Sequence, residues 1–238
     1  MAKNNKYRSA DDHPYWETVK QLPTFRAKVE YTLENWWIHM AGVAFVIFLI
    51  VYVLIANYTN NIPSYLSGAY VNLLSVDGAQ ELPAEYLDRT FLEDHLGYAE
   101  DERITMRCTT DMPLDLSGES NLAELTYNTI TRLDAMIPSN EFDYFIMTYD
   151  LCTWLNGRYG ETFLDLREFL SEAEMELYAD RLYYTKEGIP VGIDISDSPL
   201  LKDMYFTADK PVCFVWFKFV KQTDHMRPFF DFVMSTLP

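Results

Sequence analysis

The chain has 238 residues, of which 49% are hydrophobic, 16% aromatic and 23% charged. That composition excludes a polar disordered chain, which buries too little apolar surface to offset the entropy of ordering. A formal net charge of −17, from 19 Lys+Arg against 36 Asp+Glu, leaves no excess cation to displace phosphate counterions and argues against nucleic acid as a partner.

The first element is an apolar run from Ile38 to Ala56, whose only strongly polar side chain, His39, sits beside its boundary. Nineteen residues at about 1.5 Å each span roughly 28 Å, close to the hydrocarbon thickness of a bilayer. Twelve are Ile, Leu, Val or Phe, which together favour insertion by about 4–7 kcal/mol. Trp36 and Trp37 at one end and Tyr58 beyond the other suit interfacial anchoring by amphipathic rings. The segment is therefore expected to span a bilayer as residues 38–57, behind a tail of residues 1–37 with a juxtamembrane helix. Leu54 spoils a small-x-small cleavage site ending at Ala56, so a retained anchor is expected rather than a signal peptide.

Orientation follows from the cations. Lys3, Lys6, Arg8, Lys20, Arg26 and Lys28 precede the run, and the first cation after it is Arg89. Residues 1–58 carry a net +1 and residues 59–238 a net −18. The positive-inside rule places the N-terminus in the cytoplasm and the C-terminal part outside the cell membrane.

Residues 58–68 are polar at their start and read as a linker, and residues 69–238 as one extracytoplasmic domain. Within it, 69–74 is expected to be a first strand and 83–95 a helix with Pro83 in its first turn. Strand 103–109 alternates, with Ile104, Met106 and Cys108 on one face. A helix over 119–137 carries Leu122, Leu125, Thr129, Leu133 and Met136 along one side, capped by Ser117 or Ser120 and stopped by Pro138. The nearly continuous apolar run 142–148 predicts a strand covered on both faces. A helix over 151–158 follows, then a capping box, Ser171-Glu-Ala-Glu174, opening a helix to about Tyr178. Residues 211–220 form a further strand, and a helix from about Asp224 places Met226, Phe230, Val233 and Leu237 on one face. This order predicts a layered α/β domain with a mostly parallel mixed sheet and helices on both sides.

Three stretches carry a family likeness: FDYFIMTYD from Phe142, GETFLDLREFL from Gly160, and GIPVG from Gly188. Together they resemble bacterial extracellular solute-binding proteins of the two-lobed, type II kind. Residues 212–220 followed by 223–234 resemble that family's returning strand and the helix that packs back on the first lobe. The N-terminal stretch resembles membrane-anchored relatives from Gram-positive anaerobes. Only about 20 residues separate Gly192 from the returning strand, so the resemblance implies a single-lobe relative.

No spacing isolates catalytic groups, and no enzyme activity or cofactor is expected. Asp111, Asp115 and Glu119 lack the grammar of a calcium loop, and His13, His39, His95 and His225 lack metal spacing. Cys108, Cys152 and Cys213 read as small buried hydrophobes, with one disulfide outside the cell as the alternative. Ligands of open α/β sheets bind at the carboxyl ends of strands. Geometry and resemblance together therefore nominate Ser75, Asp77, Thr109, Asp111, Tyr149 and Asp150, with Asp194, Ser196 and Asp197 of the 192–198 turn nearby. For that turn a purely structural cap of the following segment is the competing reading. The chain is expected to be a single-pass, membrane-anchored envelope module. Its expected partners are the lipid bilayer and an envelope protein or a second copy. Solute reception for a transporter or sensor is the alternative, and an envelope hydrolase a third.

Overall fold

A computed structural model describes residues 19–75, 82–99, 102–116, 123–204 and 206–238. The chain divides into two compact units, residues 1–61 and 62–238. In the first, Thr24 caps helix α1, Phe25–Asn60, by accepting a hydrogen bond from the Ala27 amide. The stretch Trp36–Thr59 of α1 is long and apolar enough to cross a membrane, and none of it is buried.

The second unit is an α/β domain built in chain order from β1 (Ser64–Val71), β2 (Leu74–Ser75), α2 (Pro83–Leu87), β3 (Thr105–Met112), α3 (Ala123–Met136), β4 (Tyr144–Thr148), α4 (Tyr149–Tyr159), α5 (Glu172–Leu177), β5 (Leu182–Tyr184), β6 (Pro190–Asp194), α6 (Pro199–Asp203), β7 (Phe206–Thr207), β8 (Val212–Trp216) and α7 (Thr223–Ser235). A π-helical turn, Asp88–Glu93, continues α2. Six strands form one sheet in the order β3-β1-β4-β8-β6-β5, and β2 and β7 form a separate two-stranded ribbon.

The mixed sheet was expected, but its balance differs. β1 pairs in parallel with β3 and β4, whereas β4–β8, β8–β6 and β6–β5 are antiparallel. Most pairings are thus antiparallel, because β8 returns between β4 and β6 against the direction of both.

β1 begins at Ser64, inside the expected linker, and ends at Val71. Its Ser and Gly content hides it. Gly68 faces Tyr144 across the sheet, and a β-carbon there would lie 2.1 Å from the ring. The glycine lets β1 pass beneath a buried aromatic, which is a packing demand rather than a flexibility signal. Asp143 secures the same end of the strand: its carboxylate accepts from the Ser67 amide at 2.8 Å and the Lys221 amide at 3.3 Å. Its own amide donates to the Ser67 carbonyl at 2.7 Å. One buried acid therefore joins β1, the start of β4 and the loop after β8.

Strand alternation sends side chains to two cores. Tyr144 and Ile146 of β4, with Val212, Phe214 and Trp216 of β8, face α7, α6 and the π-helical turn. Phe145 and Met147, with Cys213 and Val215, face α3 and α4. Helices lie on both sides of the sheet. Every residue of β4 is buried, as the continuous apolar run predicts. In α3, Thr129 and Leu133 are buried but Leu125 is 48% exposed, so the apolar face is shorter than its spacing suggests. Leu122 and the candidate caps Ser117 and Ser120 lie outside the described residues.

The capping box at Ser171 forms, and its acid does a second job. Glu174 accepts from the Ser171 amide at 2.9 Å and also pairs with Arg227 of α7. The Arg227 guanidinium, helped by the Ser171 amide and hydroxyl, holds the Glu174 carboxyl at about 2, against 4.5 when free. A depressed folded-state value adds stability that is complete above the free value and lost as pH falls through it toward the folded one. Glu174→Gln is accordingly expected to lower the melting temperature of the full chain by about 2–4 °C at pH 7, an effect of roughly 1 kcal/mol once solvent screening of a partly exposed pair is allowed for. Melts from pH 7 down to pH 2 should converge with wild type between about pH 4.5 and 2. A gap that stays constant across this range would mean that the ion pair contributes nothing.

Candidate functional site

The strands β1, β3, β4 and β6 run in one direction, so their carboxyl ends share an edge of the sheet with the amino end of the opposed β8. That opposition brings in residues that no strand-end argument names. The Tyr149 amide donates to the Pro211 carbonyl at 2.9 Å, and the Ile195 amide to the Val212 carbonyl at 2.9 Å. Lys210, one residue before Pro211, is thereby set against the end of β4, where its ammonium meets Asp150 at 2.6 Å.

Asp150 is held from three directions. Besides Lys210, it accepts from the Thr148 hydroxyl at 2.8 Å and the Leu151 amide at 3.1 Å. Burial opposes its charge, but Lys210 and Thr148 outweigh burial and keep the carboxyl below its ordinary range. The Asn72 amide group donates to the Thr148 hydroxyl at 3.4 Å, extending the network to the end of β1. Asn72 itself adopts φ 59°, a left-handed conformation that Asn tolerates better than most side chains.

Asp194 and Ser196 form a second node. The Asp194 carboxylate accepts from the Ser196 amide at 2.9 Å and from its hydroxyl at 2.5 Å. The Ser196 oxygen in turn accepts from the Val212 amide at 2.8 Å, fastening the turn to β8. Ser198 caps α6 through the Leu200 amide at 3.2 Å and lies 2.6 Å from the Thr236 hydroxyl. Capping of the following segment, one of the two readings of this turn, is therefore what Ser198 does. Asp197 points elsewhere, to Arg181, at 2.7 and 2.9 Å through both guanidinium nitrogens. That guanidinium holds Asp197 below the usual carboxylate range.

A cleft of about 490 Å³ opens beside Asp194 and Ser196, bounded by Leu201, Lys202, Phe206 and Lys210. Most of its wall comes from the short excursion between β6 and β8, which carries α6 and β7, and Leu73 adds to it from the segment between β1 and β2.

Of the remaining nominated residues, Ser75 borders the cleft through the pairing of its strand with Phe206, and the others do not converge on it. Ser75 lies in β2, paired with Phe206 of the ribbon and beyond the end of the first strand of the main sheet. Asp77 lies outside the described residues. Thr109 is buried in β3. Asp111 is exposed at a bulge in the same strand, with φ 55°. Four inter-strand steps separate β3 from β6, about 19 Å at the usual spacing, so Asp111 and Asp194 cannot grip one small ligand. Tyr149 is 48% exposed, with its ring edge-on to Tyr183 at 4.1 Å. Of the interfacial candidates in α1, Trp37 and Tyr58 are 58% and 66% exposed, and Trp36 lies 4.9 Å from the His39 ring.

Lys210, Lys202, Arg181 and Asn72 were not among the residues nominated from sequence. The signal in the sequence is Asp209-Lys210-Pro211 at the start of the 211–220 strand, and it becomes usable only once β8 is known to run antiparallel. Among the described residues, no group of three or more His, Cys, Asp or Glu is arranged to hold a metal ion. No protein-family model, curated protein or solved structure matches this chain.

Proposed function

We propose that the chain is a single-pass membrane protein whose α/β domain stands outside the cell membrane as a non-catalytic interaction or accessory module. The observation that carries this reading is an unburied helix, Trp36–Thr59, with a cation-bearing tail before it and a strongly acidic domain after it. The positive-inside rule then sets the direction of insertion. The strand-end carboxylates support the non-catalytic part. Asp150 and Asp197 are each engaged in an ion pair, with Lys210 and Arg181, that fastens one segment to another and supports a structural use of both. Descent from one lobe of a type II solute-binding fold is supported by β8, which returns between β4 and β6, and by α7, which packs back on the same sheet. Only residues 195–211 occupy the place where a second lobe would be inserted.

Protease treatment of intact cells tests the topology. The domain should be digested while the N-terminal tail survives. A domain protected until the membrane is opened would overturn the reading.

The cleft beside Asp194 favours a second reading, a solute receptor, because its volume falls in the range of small-ligand sites. Thermal melting of the full chain in detergent, against sugars, amino acids, peptides and divalent cations, separates the two. A saturable rise with one chemical class would establish the receptor, since a ligand that binds only the folded state stabilises it by mass action. A flat response favours docking of an envelope protein or of a second copy.

A further inference from the structure

Cys152 and Cys213 come from different elements, α4 and β8, yet meet on one side of the sheet. Both belong to the core between the sheet and α3–α4, and both are essentially without solvent contact, at 0% and 1% exposure. Cys213 Sγ donates to the Met147 carbonyl at 3.5 Å, two residues before the start of α4, and the two thiols act on each other electrostatically. The third cysteine, Cys108, contacts the other core, with its thiol 3.7 Å from the Tyr70 hydroxyl. Topology thus selects one pair out of three.

We propose that Cys152 and Cys213 are a disulfide-forming pair, closed by a small-molecule or protein disulfide as the chain folds. The exchange balances simply. One cysteine thiolate attacks the donor disulfide and expels a donor thiolate; the second cysteine then attacks the mixed disulfide and expels the other. One S–S bond forms, one breaks, and the two cysteine protons pass to the two donor thiolates. The finished bond ties α4 to β8 across a long stretch of chain, the arrangement in which a cross-link restricts the unfolded ensemble most.

Burial pushes the Cys152 thiol well above its ordinary range, so little thiolate exists once the domain is packed. Closure therefore belongs to folding, and the packed, reduced domain resists the same oxidant. The pairing itself rests on the fold alone. Its occurrence in cells rests on the extracytoplasmic placement proposed above, because the cytosol keeps thiols reduced.

The full chain, unfolded and reduced in detergent and then refolded with oxidised glutathione, should retain one alkylatable thiol, at Cys108. It should yield a cross-linked peptide containing Cys152 and Cys213, and melt about 5–10 °C above the reduced form. Cys108→Ala should still close the bond, and Cys213→Ala should leave two free thiols. Three alkylatable thiols after oxidative refolding, or a bridge through Cys108, would overturn the pairing. Alkylation of acid-quenched cells separates the two premises. A closed bond in cells supports both, whereas three thiols in cells with closure on refolding would leave the pair standing and overturn its closure in cells.

Discussion

Arginine at both Val46 and Ile50 should release the chain from the membrane fraction. The two positions lie one turn apart near the middle of Trp36–Thr59. Each arginine at a helix centre costs about 2.5–3.5 kcal/mol on an insertion scale, and removing Val and Ile forfeits roughly another 1 kcal/mol. The total, about 6–8 kcal/mol, meets or exceeds the about 4–7 kcal/mol by which the apolar run favours insertion. Alkaline extraction of membranes is the measurement: wild type remains in the pellet and the double variant appears in the supernatant. Leucine at both positions keeps the apolar character and should behave as wild type. A double arginine variant that resists extraction, or a wild type that does not stay in the pellet, would overturn the reading of α1 as a membrane anchor.

Phe229→Ala should be among the most damaging single truncations in the domain. Phe229 is fully buried and packs against rings from three other elements, Phe91 at 5.0 Å, Tyr144 at 4.8 Å and Phe214 at 6.1 Å. Phe→Ala in such a core costs about 3–5 kcal/mol, since a cavity remains in addition to the lost transfer energy. For a domain of this size that is a fall of roughly 10 °C in melting temperature. Phe219→Ala provides the comparison. Its ring is 57% exposed, and its loss should change stability by less than about 1 kcal/mol. Equal losses from the two variants would mean that α7 does not pack on the sheet as described.

The elements legible from sequence were those whose signal is local and complete. The apolar run 142–148 fixed β4 as buried on both faces, and Ser171 with Glu174 located the start of α5. The beginning of β1 was hidden because Ser64, Ser67 and Gly68 resemble a linker, and the reason for Gly68 is a tyrosine far along the chain. β5 was missed because three residues, Leu182–Tyr184, carry no usable periodicity. The candidate site shows the same division. Asp150 and Asp194 were recognisable as strand-end acids, but their neighbourhoods depend on strand order. Asp150 meets Lys210 only because β8 runs backward beside β4, and Asp111 is remote from Asp194 only because β1, β4 and β8 stand between them.

The central place of β8 also governs when the domain can come into being. Cys213 and Met147, adjacent across the sheet, are 66 residues apart in the chain. A ribosome that has delivered everything up to Pro211 has made both neighbours of β8 but not the strand that joins them. Until it arrives, β4 and β6 have unpaired backbone edges, and the core has neither Trp216 nor the aromatic face of α7. Such an incomplete chain exposes apolar surface and open strand edges, the features that make nascent intermediates prone to aggregation. The pairing order therefore requires synthesis to run nearly to the end of the chain before the sheet can close.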